Sequence, residues 1–302
     1  MTISIQAGQA TTHRPSLFEP AHVRRDGIAY VVVPTFKHID EMTEDRAKRQ
    51  ALKAEARLIH KAVNDFLFIH NKHQIGSTRG YTVYFAAYLP QDGWPLIDRL
   101  VVVAKICPLH TPTAADFFVG DDPHTQKRNV YCLQRLGGYR TTENLMSNFL
   151  GWLMRTIGRL DRNIHLIATY ADTGEVNSET GQPHQGLVYK ASGAVYAGLT
   201  TGRRLEGYAL GGIRYSMRRG KITLGPKDIP AGALPIYATP KQRWCYAVGP
   251  NRLVRALRFH ALKKRMAHFE FVPVHQPRLL VSRKPLWRRF LAFLIPRRLL
   301  IQ

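Results

Sequence analysis

The sequence predicts a mixed α/β fold, in which a central mixed sheet is flanked by helices. Short runs of β-branched and aromatic residues are typical of strands, and two segments with apolar residues three or four positions apart are typical of amphipathic helices. A strand, a glycine-containing loop, a helix and a second strand follow one another, as in a parallel crossover unit. With 302 residues, of which 45% are hydrophobic, the chain is long enough to bury a core.

The first third of the chain contains three predicted strands and one long helix. A β-branched run over residues 28–34 predicts a buried strand, and residues 81–89 and 96–106, joined by the sequence PQDGWP, predict a hairpin. Thr43 is the candidate cap of a helix that has Glu44 and Asp45 in its first turn. The inward face of this helix is predicted to contain six apolar residues at helical spacing: Leu52, Ala56, Ile59, Val63, Phe66 and Leu67.

The centre of the chain contains the crossover unit. Residues 129–136 predict a strand that runs into Gly137 and Gly138, residues 145–159 predict a helix, and residues 164–170 predict the next strand. The connection between the two parallel strands has to be right-handed. The glycine loop at the helix N-terminus suits a phosphate or pyrophosphate, although glycine is as common there for backbone geometry alone.

The last third is predicted to contain strands at residues 207–216 and 243–248, and a helix after Pro250. In this helix Leu253, Leu257 and Ala261 are predicted to pack inward, while six basic residues project: Arg252, Arg255, Arg258, Lys263, Lys264 and Arg265.

Three segments make up the predicted organisation. They are a flexible N-terminal arm over residues 1–27, a domain over residues 28–250 and a basic helical C-terminal extension over residues 251–302. The tail over residues 283–302 interleaves arginines with apolar residues. It suits packing on the domain or a nucleic-acid surface better than it suits anionic lipid, because the basic character extends through the whole last third.

The distribution of charge says more than its total. The chain has 44 Lys plus Arg against 21 Asp plus Glu, a net charge of +23. Residues 203–302 alone contain 22 basic and 3 acidic residues, a balance of +19, whereas the first 125 residues are nearly neutral. Such a field attracts phosphate backbones or anionic lipid. Solubility alone would not require so lopsided a distribution.

The sequence also excludes several classes of protein. The three cysteines are too far apart for a disulfide framework or a CxxC zinc knuckle. Common hydrolase, zincin, P-loop and dinucleotide motifs are absent. No apolar run reaches the length of a membrane span, and the first 16 residues lack the hydrophobic core of a signal peptide. We therefore expect a soluble cytoplasmic protein without stable membrane insertion.

Polar residues with candidate chemistry gather at the ends of the crossover unit. Asp172 directly follows the second strand, where a carboxylate could orient an amine or accept its proton; a turn-forming role is the alternative. Arg135 lies inside the first strand and needs a carboxylate, a phosphate or a carbonyl. His184 and Tyr189 are candidate proton carriers, with surface exposure and core packing as their respective alternatives.

Two histidines follow the first long helix. His70 and His73 are spaced so that they could share a metal ion, although no convincing third ligand lies nearby in the sequence. Whether the protein needs a metal stays open at this point.

Four sequence blocks carry a resemblance to a known family: residues 131–160, 164–172, 184–198 and 239–248. Together they resemble the phage Mom family of DNA-adenine modification proteins, whose fold is similar to that of the GNAT acetyltransferases. The first matches are Arg135 in a strand, Ser147 in the helix start and Asp172 in a Tyr-Ala-Asp motif. A His-x-Gly-x-x-Tyr-x-Ala-Ser block follows, with His184, Gly186, Tyr189 and Ser192. The last match is a late basic-aromatic motif with Lys241 and Arg243. Gln242 and Trp244 stand where the family has His and Tyr, and His73, Gln74 and Ser77 only faintly echo its N-terminal motif.

The resemblance implies a GNAT-like transferase that adds a carbamoylmethyl-type group to the N6 amine of adenine in DNA, which shields the DNA from restriction enzymes. The adenine would be flipped out of the duplex. Asp172 would accept or orient the amine proton, and Tyr189 would donate a hydrogen bond or a proton. Arg135 would anchor Asp172 or the transferred group. A metal ion, if one is used, would involve His73 or His70.

The resemblance also assigns binding residues. An acyl-CoA-like donor would lie against the loop and helix start that include Gly137, Gly138, Asn144 and Ser147. DNA would contact six basic residues: Lys190, Arg203, Arg218, Arg219, Lys241 and Arg243. Whether the protein forms a homodimer stays open.

Two other functions remain open. Another GNAT-type N-acyltransferase, acting on a protein or a small amine, would use the same loop and the Asp172 region but gives no reason for the basic last third. A non-enzymatic DNA-binding protein derived from such a fold would explain the altered motif positions Gln74 and Trp244.

Overall fold

The structure is a computed structural model of the chain. It describes residues 22–24, 27–33, 35–70, 82–89, 99–109, 112–120, 122, 125–138, 143–173, 186–200, 205–211, 213–216, 218–219, 222–223 and 229–271. The predicted features outside these residues include residues 1–21 of the N-terminal arm, His73, Gln74, Ser77, His184, Arg203 and the basic tail over residues 283–302.

The described residues form thirteen strands and six α-helices. The strands are β1 His22–Val23, β2 Ala29–Val33, β3 Val83–Tyr88, β4 Leu100–Pro108, β5 Val130–Gly138, β6 Leu166–Asp172, β7 Val195–Leu199, β8 Leu205–Leu210, β9 Ile213–Ser216, β10 Arg218–Arg219, β11 Ile222–Thr223, β12 Leu234–Tyr237 and β13 Lys241–Ala247. The helices are α1 Phe36–Met42, α2 Arg46–His70, α3 Pro112–Val119, α4 Leu145–Leu160, α5 Leu187–Ala191 and α6 Arg252–Arg265.

The chain divides into two compact units. Unit 1 comprises Met1–Thr169, Ala191–Ala194 and Cys245–Arg265, and unit 2 comprises Tyr170–Lys190, Val195–Trp244 and Met266–Gln302. Strands β6 and β13 each begin in one unit and end in the other. Helix α6, the first part of the predicted extension, belongs to unit 1.

Unit 1 is built on a mixed sheet with the strand order β1-β2-β3-β4-β5-β6-β13. Strands β1 to β5 pair antiparallel with their neighbours. Strand β5 pairs with β6 in parallel, in register from Val130 opposite Leu166 to Cys132 opposite Ala168. The predicted hairpin of β3 and β4 and the predicted parallel crossover through α4 are therefore confirmed. The structure differs from the prediction near the N-terminus: residues 22–23, at the end of the predicted flexible arm, form strand β1.

Helix α2 covers one face of this sheet, as its periodicity predicts. Its six predicted inward residues are all buried, in one cluster with residues of β2, β3 and β4. Its N-terminal cap differs from the prediction. The Oδ1 atom of Asp45 accepts hydrogen bonds from the backbone N–H groups of Ala47 and Lys48, at 2.8 and 3.1 Å, so Asp45 and not Thr43 caps the helix.

Helix α4 covers the opposite face. Phe149 and Trp152 of α4 pack against Tyr30 of β2, with ring centroids 5.4 and 5.1 Å apart, and Trp152 also contacts Phe85 of β3. Tyr30 and Phe85 alternate along their strands with the residues that face α2, which places the two helices on opposite faces. A mixed sheet with helices on both faces confirms the predicted α/β class.

The packing of α6 contradicts the sequence prediction. Leu253 and Leu257 are 69% and 63% exposed, whereas Leu262 is buried. Arg258 points inward and donates hydrogen bonds to the carbonyl oxygens of Val248 and Ile164, at 2.8 and 3.3 Å. An arginine can pack its aliphatic stem and donate hydrogen bonds from its guanidinium to buried carbonyls. The apolar pattern of α6 therefore predicted the wrong inward face.

Unit 2 contains short strands. Residues 207–216 do not form one strand as predicted; they belong to the antiparallel pair β8 and β9, which turns at Gly211 with a φ of 55°. Strand β12 adds to the other edge of β8. The first residues of β13 lie beside β7, where Lys241 O accepts a hydrogen bond from the N–H of Thr200 at 2.9 Å. In the part of the chain that the structure describes, no helix is long and apolar enough to cross a membrane.

Candidate functional site

The last residue of β6, Asp172, is the centre of a polar cluster in unit 2. Its Oδ2 atom lies 3.2 Å from the Nζ atom of Lys241, the first residue of β13. Its Oδ1 atom accepts a hydrogen bond of 2.5 Å from the hydroxyl of Thr239. The carboxylate side chain is 16% exposed, so it is held in place and still reachable. A carboxylate so placed can accept a proton or orient an amine.

The backbone around Asp172 is fixed by its neighbour. The hydroxyl of Thr173, a buried residue, donates a 2.6 Å hydrogen bond to the carbonyl oxygen of Pro240. This bond ties the end of β6 to the residue before Lys241. The distance between the Asp172 carboxylate and the Lys241 ammonium is therefore set by the backbone as well as by the two side chains.

Arg243 lies on the same side of β13 as Lys241, since residues two apart in a strand share a face. Its guanidinium donates a 2.8 Å hydrogen bond to the carbonyl oxygen of Leu199 and lies 5.9 Å from the ring centroid of Phe269. Burial lowers the pKa of Arg243, and the nearby hydroxyls of Tyr170 and Tyr196 partly counter this effect. Arg243 is thus partly enclosed by aromatic residues, which limits its use as an open DNA contact.

Lys190 is also next to an aromatic ring. This exposed lysine at the end of α5 places its Nζ atom 5.2 Å from the ring centroid of Phe271. The ring of Phe271 in turn contacts Tyr196 and Trp244, with centroid distances of 5.4 Å for both. Lys190 keeps an exposed charge beside an aromatic group, an arrangement that suits a nucleic-acid surface.

The two residues that depart from the family pattern are buried. Gln242 is 0% exposed and Trp244 1% exposed, on the face of β13 opposite to Lys241 and Arg243. Within the described residues, neither polar atom of the Gln242 amide nor the Trp244 indole nitrogen has a hydrogen-bond partner. Trp244 packs so closely against Gly186 that a Cβ atom at that glycine would collide with the indole ring. These two side chains are core groups of unit 2.

Tyr189 is buried as well. Its side chain is in the core, and its backbone N–H donates to the carbonyl oxygen of Gly186 in the first turn of α5. This burial favours the core-packing interpretation of the residue, and its catalytic role stays a prediction.

Arg135 lies in β5 of unit 1, directly opposite Lys105 of β4. One of its terminal nitrogens donates a 3.0 Å hydrogen bond to the carbonyl oxygen of Gln134. Asp172 belongs to unit 2, and the predicted pairing of Arg135 with Asp172 stays a prediction.

The two predicted loop glycines lie in a strand. Gly137 and Gly138 are the last residues of β5, opposite Val103 and Val102. A Cβ atom at Gly138 would lie 2.8 Å from the Met146 side chain and 2.9 Å from the carbonyl oxygen of Val101. The close approach of α4 and β4 therefore explains Gly138, and the position of both residues in the loop was predicted wrongly.

The start of α4 has the predicted helix-terminus geometry. Asn144 has a left-handed backbone, with a φ of 57°, and its carbonyl oxygen accepts bonds from the N–H of Asn148 at 3.0 Å and from the hydroxyl of Ser147 at 3.1 Å. The N–H groups of the first turn are directed away from the helix body, as at any helix N-terminus. The binding of a donor at this turn stays a prediction.

A cluster of four arginines in unit 1 was not identified from the sequence as a unit. Arg155, Arg159 and Arg252 are exposed, and together with burial they lower the pKa of Arg255. Helix α4 lies close to the segment that precedes α6, because a Cβ atom at Gly158 would lie 2.6 Å from backbone atoms of Gly249. The sequence offered one sign of this cluster: residues 155 and 159 are both arginines and are one helical turn apart in α4.

Arg218 and Arg219 form the short strand β10 by their backbone, and His73, His184 and Arg203 lie outside the described residues. Over the described ranges, no group of three or more His, Cys, Asp or Glu residues could hold a metal ion.

No protein-family model matches the chain, and no curated protein matches it.

Proposed function

We propose that this protein is a transferase that modifies the exocyclic N6 amine of adenine in DNA. The observation that carries the proposal is the Asp172 cluster, in which a carboxylate at the end of a parallel strand is positioned by Lys241 and Thr239. The resemblance of the surrounding blocks to the Mom family supports the same assignment. A substrate in the host DNA implies a cytoplasmic site of action.

Asp172 has the properties that an amine substrate requires. The N6 amine of adenine is a weak nucleophile, since its lone pair is delocalised into the ring, and it has to lose a proton as a new bond forms. A carboxylate fixed by two partners can orient the N–H group and accept that proton without first reorganising. Lys241 would stabilise the ionised carboxylate before the transfer.

The first turn of α4 would hold the donor. Its N–H groups favour a phosphate or pyrophosphate, and Asn144 and Ser147 shape the turn. An acyl-CoA-like donor, when bound, would supply a thioester whose carbonyl carbon the amine attacks, with the CoA thiolate as the leaving group. The absence of a side chain at Gly138 supports the assignment indirectly, because it lets α4 approach β4 closely.

The arginine cluster of α4 and α6 would hold the DNA backbone. Four neighbouring guanidinium groups create a positive field that a phosphate backbone would neutralise. Lys190 of unit 2 and the basic last third would supply further positive charge for DNA. The concentration of positive charge in residues 203–302 favours DNA over the small amines or proteins of the alternative acyltransferase.

The experiment is a nucleoside analysis of host DNA. The full chain and its Asp172→Asn variant are expressed in cells, the DNA is hydrolysed, and deoxyadenosine adducts are measured by mass spectrometry. We expect an adduct with the native chain and none with the variant. The matched control is Asp116→Asn, which removes an exposed carboxylate that pairs with Lys127 at 2.7 Å in unit 1.

The alternatives give different results. If no adduct forms while the purified protein binds DNA with a steep salt dependence, the chain is a DNA-binding protein without this activity. If the protein binds acetyl-CoA and not DNA, it is an acyltransferase for another amine. Equal adduct levels in the Asp172→Asn variant would refute the role of the carboxylate.

A further inference from the structure

Lys105 is a buried lysine in the centre of β4. The whole residue is 2% exposed, and it lies in unit 1 between Ala104 and Ile106, which are fully buried. Burying an ammonium group is costly unless an anion or several acceptors compensate for the lost water. A lysine at such a position therefore requires an explanation.

The part of the chain that the structure describes offers Lys105 no anion. Among the described residues, no carboxylate lies within ion-pair distance of its Nζ atom, which lies 5.6 Å from the ring centroid of Tyr84. The Tyr84 hydroxyl is itself used, because it donates a 3.0 Å hydrogen bond to Asn64 of α2. Burial lowers the pKa of Lys105; the nearby Cys107 thiol partly counters this effect, and the neighbouring Arg135 lowers the pKa further. A single cation–π contact compensates for only part of the desolvation.

A second cation is aligned with the first. Arg135 of β5 is directly opposite Lys105, so the two side chains lie on the same face of the antiparallel pair. Like charges at such positions repel each other, and the repulsion is relieved when an anion binds between them.

The backbone beside this pair is irregular. The register shifts after Lys105, so that Ile106 is opposite Leu133 and Gln134 is the extra residue of a bulge. Bulges re-aim side chains and occur next to functional sites. The Oε1 atom of Gln134 is buried, with no hydrogen-bond partner among the described residues. Gln134, whose amide can offer either its oxygen or its nitrogen to a ligand, is thus the strand neighbour of Arg135.

We propose that Lys105 and Arg135 form a binding site for an oxyanion, the carboxylate or phosphate group of a small ligand. Arg135 presents the planar fork that matches such a group, and Lys105 adds a point charge beside it. Arg135 and Gln134 are partly exposed, which gives the anion a way in from β5. The proposal is independent of the DNA-modifying activity, because it requires only that unit 1 bind an anion.

The test is a binding measurement on the purified full chain. Inorganic phosphate, pyrophosphate and acetate are each titrated by calorimetry, and the thermal midpoint is measured with and without each anion. We expect at least one of them to bind at millimolar concentration and to raise the midpoint. Preference for pyrophosphate and phosphate would identify a phosphate ligand, and preference for acetate would identify a carboxylate.

Two variants locate the site. Lys105→Met removes the buried charge and keeps a long apolar side chain, so we expect a higher midpoint without anion and an anion affinity lower by about tenfold or more. Arg135→Gln, at a partly exposed position, should lose affinity to a similar degree. Lys127→Met, which removes an exposed lysine of the same unit, should bind as the native chain does.

The results that overturn the proposal are equally defined. No binding of any of the three anions to the native chain would do so. Unchanged affinity in the Lys105→Met variant, or an equal loss in the Lys127→Met control, would also refute a site at this pair. A folded Arg135→Gln variant with native affinity would remove Arg135 from the site.

Discussion

The ammonium group of Lys241 lies 3.2 Å from the Oδ2 atom of Asp172, at the point where β6 ends and β13 begins. The two residues are far apart in the sequence and belong to different predicted roles, one catalytic and one for DNA binding. Because of this contact, Lys241 has a carboxylate partner. Its first role is to stabilise the ionised form of Asp172.

Replacement of Asp172 by Asn should separate activity from stability. The variant keeps the size of the side chain and can still accept a bond from Thr239, but it cannot accept a proton. We expect a loss of adduct formation by at least about a hundredfold, with a change in the free energy of unfolding of about 1 kcal/mol or less, since the ion pair is partly exposed. Adduct yield and urea denaturation measure the two quantities, and a variant that is both unfolded and inactive would leave the role of the carboxylate unsupported.

Removal of two arginines of the α4–α6 cluster should weaken DNA binding in a salt-dependent way. For the double variant Arg155→Gln with Arg159→Gln, we expect the slope of log affinity against log salt to fall by about 0.9 for each DNA phosphate that the protein no longer neutralises. The matched control is Arg46→Gln with Lys48→Gln, two exposed basic residues of α2. An equal decrease in both double variants would show that total charge alone is responsible.

Replacement of Gln242 by Met should stabilise the protein. The buried amide has two polar atoms without a partner among the described residues, and methionine has a similar length without the desolvation penalty. We expect the free energy of unfolding to rise by about 1–3 kcal/mol, measured by urea denaturation, while Gln50→Met at an exposed position of α2 changes little. A destabilised Gln242→Met variant would mean that a buried water or ligand uses the amide.

Alanine at Gly186 should destabilise unit 2 more than alanine at Gly193 destabilises unit 1. Both glycines have positive φ angles, of 63° and 90°, so both substitutions cost about 1 kcal/mol in backbone strain. Only at Gly186 would the added methyl group also collide with Trp244; at Gly193 nothing lies within 4 Å. Thermal unfolding of the two variants measures the difference, and equal midpoints would contradict the tight packing around Trp244.

The cysteine thiols should resist alkylation in the folded protein. Burial raises the pKa of Cys107 to about 11 and also raises that of Cys245. The reactive species is the thiolate, and a raised pKa keeps these groups protonated at about pH 8. We expect iodoacetamide to label them at this pH only after denaturation, as read by mass spectrometry; rapid labelling of Cys107 in the native state would contradict its burial.

Periodicity predicted most of unit 1. The inward face of α2 and the helix–sheet contacts of α4 follow from residues three and four apart, and such patterns depend on neighbours within one element. The same reasoning failed for α6, where Leu253 and Leu257 are exposed and Arg258 is directed inward. Its partners are the carbonyl oxygens of Val248 and Ile164, and a helical pattern contains no information about acceptors on another segment.

The candidate site divides in a similar way. The sequence pointed to Asp172 because a carboxylate directly follows a predicted strand, and it pointed to the helix start at Ser147. It did not indicate that Lys241 and Thr239 hold the carboxylate, or that Lys105 is opposite Arg135. Strand order and register decide those contacts, and register shifts such as the one after Lys105 are not visible in local composition.

The sequence by itself determined the α/β class, the parallel crossover and the concentration of positive charge after residue 203, because composition, charge and hydrophobic periodicity are properties of local segments. Only the tertiary structure decided which side chains meet. It brought Lys241 to Asp172, buried Gln242 and Trp244, and placed Lys105 opposite Arg135. The physical reason is that desolvation and ion pairing act over a few ångströms of space, and the distance between two residues in space is set by the packing of the whole fold.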